Sequence, residues 1–187
     1  MKEIERSWIE KGYRVFAYEG PSGLKIERLS KEVGKNKSSF YHLFADLEVF
    51  TERLLTFHFQ QAKIIADKES ISKNERELID IILDHKIDLL FNRQLRIHRD
   101  TPDFKSCFNK INQISIPAML PVWKKIIGVS ENTSLAQMVL MLSLENFFLQ
   151  ITDETLNETW LKTYFATIRE MILHFRQLDR TNQVNKR

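Results

Sequence analysis

Between Leu24 and Phe50 the chain reads LKIERLSKEVGKNKSSFYHLFADLEVF, two short helical patterns separated by a glycine. Ile26, Leu29 and Val33 recur at helical spacing, so the first pattern turns one face inward. Gly34 falls where a tight turn needs a positive φ. Asn36 is placed to cap the next helix, which leaves Lys37, Ser38 and Ser39 in its first turn. Phe40 and Phe44, four residues apart, share one face and are expected in the core. Lys37, Ser38, Tyr41 and His42 point elsewhere. A short helix with a cation and hydroxyls at its N-terminus, braced by a second helix, is how helix-turn-helix proteins enter a major groove.

The same residues carry a family resemblance. The run from Gly34 to Phe44, with its Tyr41-His42 pair, Phe44 and the following Glu48, resembles the second half of the N-terminal signature of TetR-type bacterial transcriptional regulators. Leu29 to Val33 is similar to the helix that precedes it, and Phe16 to Gly20 to the end of the first helix. The likeness covers about the first fifty residues. It implies an all-α chain: a three-helix DNA-binding domain over 1–46, a helical effector-binding and dimerisation domain over 47–178, and a polar tail over 179–187. It also implies double-stranded DNA, a palindromic operator, as a partner of a homodimer. Together with their place in the helix, it assigns base reading to Lys37, Ser38 and Ser39 and phosphate contacts to Lys25, Tyr41 and His42. Lys35 and Asn36 belong to the same surface. Three positions depart from the usual pattern. Leu24 stands where a capping hydroxyl is common, Lys35 replaces an apolar residue after the turn, and Leu47 replaces a phosphate-binding lysine.

Composition agrees with a helical chain: 187 residues, 43% hydrophobic, with only 5 Gly and 4 Pro. The start is charged from Lys2 onward, unlike a signal peptide, and no apolar run approaches the roughly 20 residues that span a bilayer. A cytoplasmic protein without a membrane partner is expected. The net charge of +3 is modest. Its distribution says more: Lys25, Arg28, Lys31, Lys35 and Lys37 face only Glu27 and Glu32 between residues 25 and 42. A local excess of this kind is what neutralises phosphates.

Elsewhere the punctuation is local. Glu19-Gly20-Pro21-Ser22-Gly23 reads as a loop after a first helix from about Lys2 to Tyr18. Asp46 can cap a long fourth helix. Ser72 to Glu75 has capping-box spacing before one apolar helix running through Leu78, Ile82 and Phe91. Pro102 opens the next helix, and Pro117 and Pro121 predict a break or kink before Gly128. Two apolar helices follow, about Ser134–Ile151 and Leu156–Gln177, the second opened by a Thr155-to-Glu158 capping box.

The last two helices are apolar nearly all round and so need covering on every face. Leu142, Phe165, Ile168 and Ile172 are expected in a dimer interface; burial inside the monomer is the alternative. Phe91, Phe104, Phe108, Met119, Trp123, Asn146 and Phe147 are expected to line a pocket for a small apolar or amphipathic effector, since such pockets are apolar with a few polar groups. Arg93, Arg96, His98 and Arg99 crowd a helix end, where the dipole favours cations. The five histidines lack metal-ligand spacing, and Cys107 reads as a buried small hydrophobe. No metal, cofactor or catalytic residues are expected. The resulting expectation is an effector-responsive DNA-binding regulator, a repressor, released from its operator by the ligand. A helical ligand-binding or protein-interaction module that no longer binds DNA is the alternative.

Overall fold

Each helix of the N-terminal region begins and ends on a residue whose chemistry suits it. The computed structural model describes the backbone from Glu3 to Val184 and side chains as far as Gln177. Over that range it holds nine α-helices and no strand: α1 Glu3–Glu19, α2 Ile26–Val33, α3 Lys37–Phe44, α4 Leu47–Ile71, α5 Glu75–Asp84, α6 Lys86–Ile97, α7 Pro102–Ile126, α8 Thr133–Gln150 and α9 Glu158–Val184. The breaker cluster after α1 is a short 3-10 turn, Pro21–Gly23. Asp46 accepts the Val49 amide at 2.9 Å and so caps α4, as its position predicts.

Several boundaries differ from the sequence reading. α5 is capped by Asn74, which accepts the Glu77 amide at 3.0 Å while Glu77 returns to the Lys73 amide. The capping pair is therefore Asn74 and Glu77, two residues beyond the expected one. α9 likewise opens on Asn157, which accepts from the Trp160 amide, while Thr155 and Thr152 bond each other in the preceding turn. The helix expected over Leu78–Phe91 is two helices meeting at His85, where φ −109° and ψ 27° leave the helical range. Pro117 and Pro121 lie inside a continuous α7 instead of breaking it. Gln113, Pro117 and Pro121 are all exposed, so water can reach the carbonyls that lack a donor. The α9 backbone continues to Val184, past the expected end at Gln177; the side chains of the 179–187 tail, and all of residues 185–187, lie outside the described range.

The chain divides into two compact units, Met1–Ile65 with His85–Ser115, and Ala66–Asp84 with Ile116–Arg187. This is not a division at residue 46. A three-helix head is too small to cover both faces of α1, and α6 packs along it. Phe91 of α6 stacks on Tyr13 and Phe16 at ring distances of 4.4 and 4.2 Å.

The first unit has a second aromatic cluster beneath the helix-turn-helix. Trp8, Phe40, Phe44 and Phe50 are fully buried, with successive centroids 5.3, 5.2 and 4.8 Å apart. Phe40 is thereby the peg that fixes α3 to α1 and α4. Truncating such a residue to alanine costs about 3–5 kcal/mol. Gly12 in mid-α1 is required by this packing, since a Cβ there would run into the Phe50 ring.

In the second unit α5 packs on α9, and Arg169 pairs with Glu75 between them. Trp123 lies edge-on to Phe165, and Phe147 packs against the stacked pair of Trp160 and Tyr164.

Candidate nucleic-acid interface

α2 ends at Gly34, whose φ of 69° and ψ of 33° are left-handed, the conformation glycine adopts without strain. Its amide returns to Lys31, and the Lys35 amide to Ser30, which closes the helix in two bonds. Two residues later Asn36 is extended and its side chain accepts the Ser39 amide at 2.9 Å. α3 therefore starts at Lys37, with its first turn oriented by a cap and its inner face pinned by Phe40 and Phe44. The N-cap of α2 is Lys25, without a side-chain bond; Leu24 is buried one residue earlier. The missing cap costs about 1 kcal/mol.

The eight expected interface residues share one connected stretch. Lys25, Lys35, Asn36, Lys37, Ser38, Tyr41 and His42 are exposed, and Ser39 is half-buried behind its cap bond. Tyr41 keeps 52% of its surface in solvent while its ring edges onto Phe40, so its hydroxyl is carried on a packed base. Arg28 does not extend freely: Glu19 and Glu32 hold its guanidinium at 2.6 and 2.8 Å. The arrangement can offer a helix N-terminus, hydroxyls and cations to an anionic, groove-shaped partner.

The expected pocket residues are not brought together. Phe91, Phe104 and Phe108 belong to the first unit, where Phe91 and Phe104 fill the ring stack around Phe16. Phe108 lies beneath the Arg96 guanidinium, 5.2 Å away, and Arg96 also donates to Asn112. Met119, Trp123, Asn146 and Phe147 are in the second unit, with Trp123 and Phe147 buried in its core. Of the seven, Asn146 alone lines a groove between α8 and α9 of about 460 Å³. Ser143, Trp160, Tyr164 and Ile168 line it too; from the sequence Trp160 and Tyr164 are expected only as part of an apolar helix, and Ile168 in a dimer interface. The signal was the Trp160-Tyr164-Ile168 repeat at every fourth residue.

Of the four expected interface positions, Leu142 is 71% exposed, whereas Phe165, Ile168 and Ile172 are buried within the chain itself. Apolar faces do remain open. Met138, Met141, Leu142 and Leu149 are exposed on α8, and Met171, Leu173 and Phe175 on α9. Cys107 is buried, its thiol pushed up to about 11 by burial, as suits an inert core residue. Among the described residues no cluster of His, Cys, Asp or Glu could hold a metal, and no helix is long and apolar enough to cross a membrane.

No family model matches the sequence, and no curated protein does. Solved structures do match by fold. One, from Mesorhizobium loti MAFF303099, is assigned to the TetR family of transcriptional regulators. It superimposes with a TM-score of 0.59 over 92% of this chain and 96% of its own, at 15% identity. Another, from Rhodococcus sp. and assigned to the same family, gives 0.56 over 92% and 97%, at 13% identity. The fold of this all-α chain is thus the one seen in those regulators, over nearly its whole length.

Proposed function

We propose that the chain is a TetR-family transcriptional regulator, not an enzyme, that binds a palindromic DNA operator as a homodimer. The observation that carries this reading is the Asn36-capped α3, which presents Lys37, Ser38, Tyr41 and His42 on a pinned, solvent-facing helix. Lys37, Ser38 and Ser39 read base edges in the major groove; Lys25, Lys35, Tyr41 and His42 hold phosphates, with Asn36 as the cap. The exposed methionines and leucines of α8 and α9 meet their copies across a two-fold axis. That pairing sets two reading heads about one turn of DNA apart, or a multiple of it.

The protein acts in the cytoplasm as a repressor, and an apolar or amphipathic small molecule releases it. An effector does this only through different affinities for the bound and released arrangements. The groove beside Asn146 and the apolar interior of the second unit supply walls of suitable chemistry.

Selection from random-sequence duplexes by the full-length protein tests DNA binding, and an enriched motif with two-fold symmetry is expected. Lys37→Ala should relax the motif, whereas Tyr41→Phe should weaken all DNA binding by a similar factor. Light scattering should give about twice the chain mass of 22.2 kDa. Leu142→Glu should yield folded monomers, because Leu142 touches solvent within the chain; Ile168→Glu should unfold it instead. A soluble parent monomer at micromolar concentration would remove the two-headed arrangement.

A further inference from the structure

Lys37 is already engaged before any DNA arrives. Its Nζ lies 2.5 Å from Oε1 of Glu27, which sits in the first turn of α2. Both side chains are more than half exposed, at 51% and 66%, so the pair orients the ammonium and adds little to stability. The contact spans the Gly34 turn and ties the start of α3 to the start of α2. Arg28 provides the contrast, since its two carboxylates come from α1 and from its own helix and none reaches α3.

We infer that Glu27 is a positioning residue for base reading, holding the Lys37 ammonium so that it favours a guanine edge over a phosphate. This rests on the reading of α3 as the recognition helix. A lysine carries three donors on a flexible four-carbon stem and by itself is a poor reader of geometry. With one proton on Glu27, the ammonium retains two, which match the paired N7 and O6 acceptors of guanine. The carboxylate also changes what Lys37 can attract. A phosphate approaching Lys37 is repelled by the nearby charge of Glu27, whereas the guanine edge carries no net charge. Glu27 therefore lowers the sequence-independent part of binding and leaves the base-reading part.

The full-length chain is compared with Glu27→Gln and Glu27→Asp by selection from random-sequence duplexes and by salt titration of binding to one random duplex. For the parent, an enriched motif with a guanine in each half-site is expected. Glu27→Gln should bind the random duplex about three- to tenfold more tightly, with a salt slope steeper by about one. Its enriched motif should lose preference at that guanine. Glu27→Asp keeps the charge on a shorter stem, so random binding should stay near the parent's while the guanine preference weakens. A Glu27→Gln protein with the parent's motif, affinity and slope overturns the inference and leaves the DNA-binding reading standing. A parent that enriches no sequence overturns both.

Discussion

In the first compact unit, Tyr13, His58, Asp88 and His85 form a continuous polar chain through a core of aromatic rings. In the second, Glu69 is buried with its Oε2 meeting no partner. The chain in the first unit is ordered by donor count. Tyr13 uses its one proton on Asp88 at 2.7 Å, so the 2.7 Å contact to His58 must be donated by His58 Nδ1. Burial pushes His58 down to about 3, which keeps the ring neutral and its Nε2 an unpaired acceptor against Phe91. Three helices, α1, α4 and α6, are tied by these bonds. Glu69 ties nothing that would repay its burial, and burial raises its carboxyl to about 8. The Tyr13 network specifies a packing; the Glu69 carboxyl opposes folding.

The largest expected effect is therefore a gain. The folded-state value of Glu69 lies above its ordinary 4.5, so the folded chain keeps a proton that the unfolded chain releases. Stability is lost as pH rises from about 4.5 to about 8, on the order of 3 kcal/mol by pH 7. Glu69→Gln has no proton to lose. Urea denaturation should show the variant more stable than the parent, with a gap that widens from pH 5 to pH 8. A constant gap, or none, would remove the buried acid from the comparison.

Tyr13→Phe sharpens the other side. It leaves His58 Nδ1 and one oxygen of Asp88 without their partner in a buried site, so a loss of about 2 kcal/mol at pH 7 is expected. The titration of His58 has the opposite sign to that of Glu69. Its folded value is depressed, so the unfolded chain takes up the proton first and stability falls as pH drops from about 6.5 toward 3. Measured in the Glu69→Gln background, the slope between pH 6.5 and 5 isolates that contribution. A flat slope there would mean the ring can be protonated in place.

The same contrast explains what could be read from the sequence. Gly34, Asn36, Asp46 and the Glu19–Gly23 cluster act within four residues of themselves, and the structure places each at the expected turn or cap. The four-residue spacing of Phe40 and Phe44 also predicts them in the core, where they lie. Features that depend on partners far along the chain were not legible. Phe91 and Phe104 read as surplus aromatics because their partners, Tyr13 and Phe16, lie more than seventy residues away. Phe165, Ile168 and Ile172 read as interface because apolarity alone does not say whether α5 or a second copy covers a face. The split at His85 has one local mark in the sequence, the His85–Asp88 pair across one turn. In the sequence Glu27 is one of two acids among five cations, and only the turn at Gly34 brings it to Lys37.

The smallest effect lies at the joint between α3 and α4, in the first unit but away from the Tyr13 network. Ala45 has φ 61° and ψ −54°, and the Asp46 amide donates to the Phe44 carbonyl at 2.7 Å. Those values make a γ-turn of the rarer, strained kind, which an alanine Cβ disfavours. Ala45 is exposed, so no packing is lost by removing that Cβ. Ala45→Gly should relieve the strain, partly offset by the greater freedom of glycine in the unfolded chain. A net gain of about 1 kcal/mol is expected in urea denaturation. The Asp46 cap of α4 and the Asn36 cap of α3 both survive the change, so the reading surface should keep its geometry. DNA affinity should accordingly stay near the parent's. If Ala45→Gly lowers stability instead, the joint is relaxed in the parent. If stability rises while DNA affinity falls, the strain is what fixes the angle between α3 and α4, and the reading head depends on a bend that the Tyr13 network does not supply.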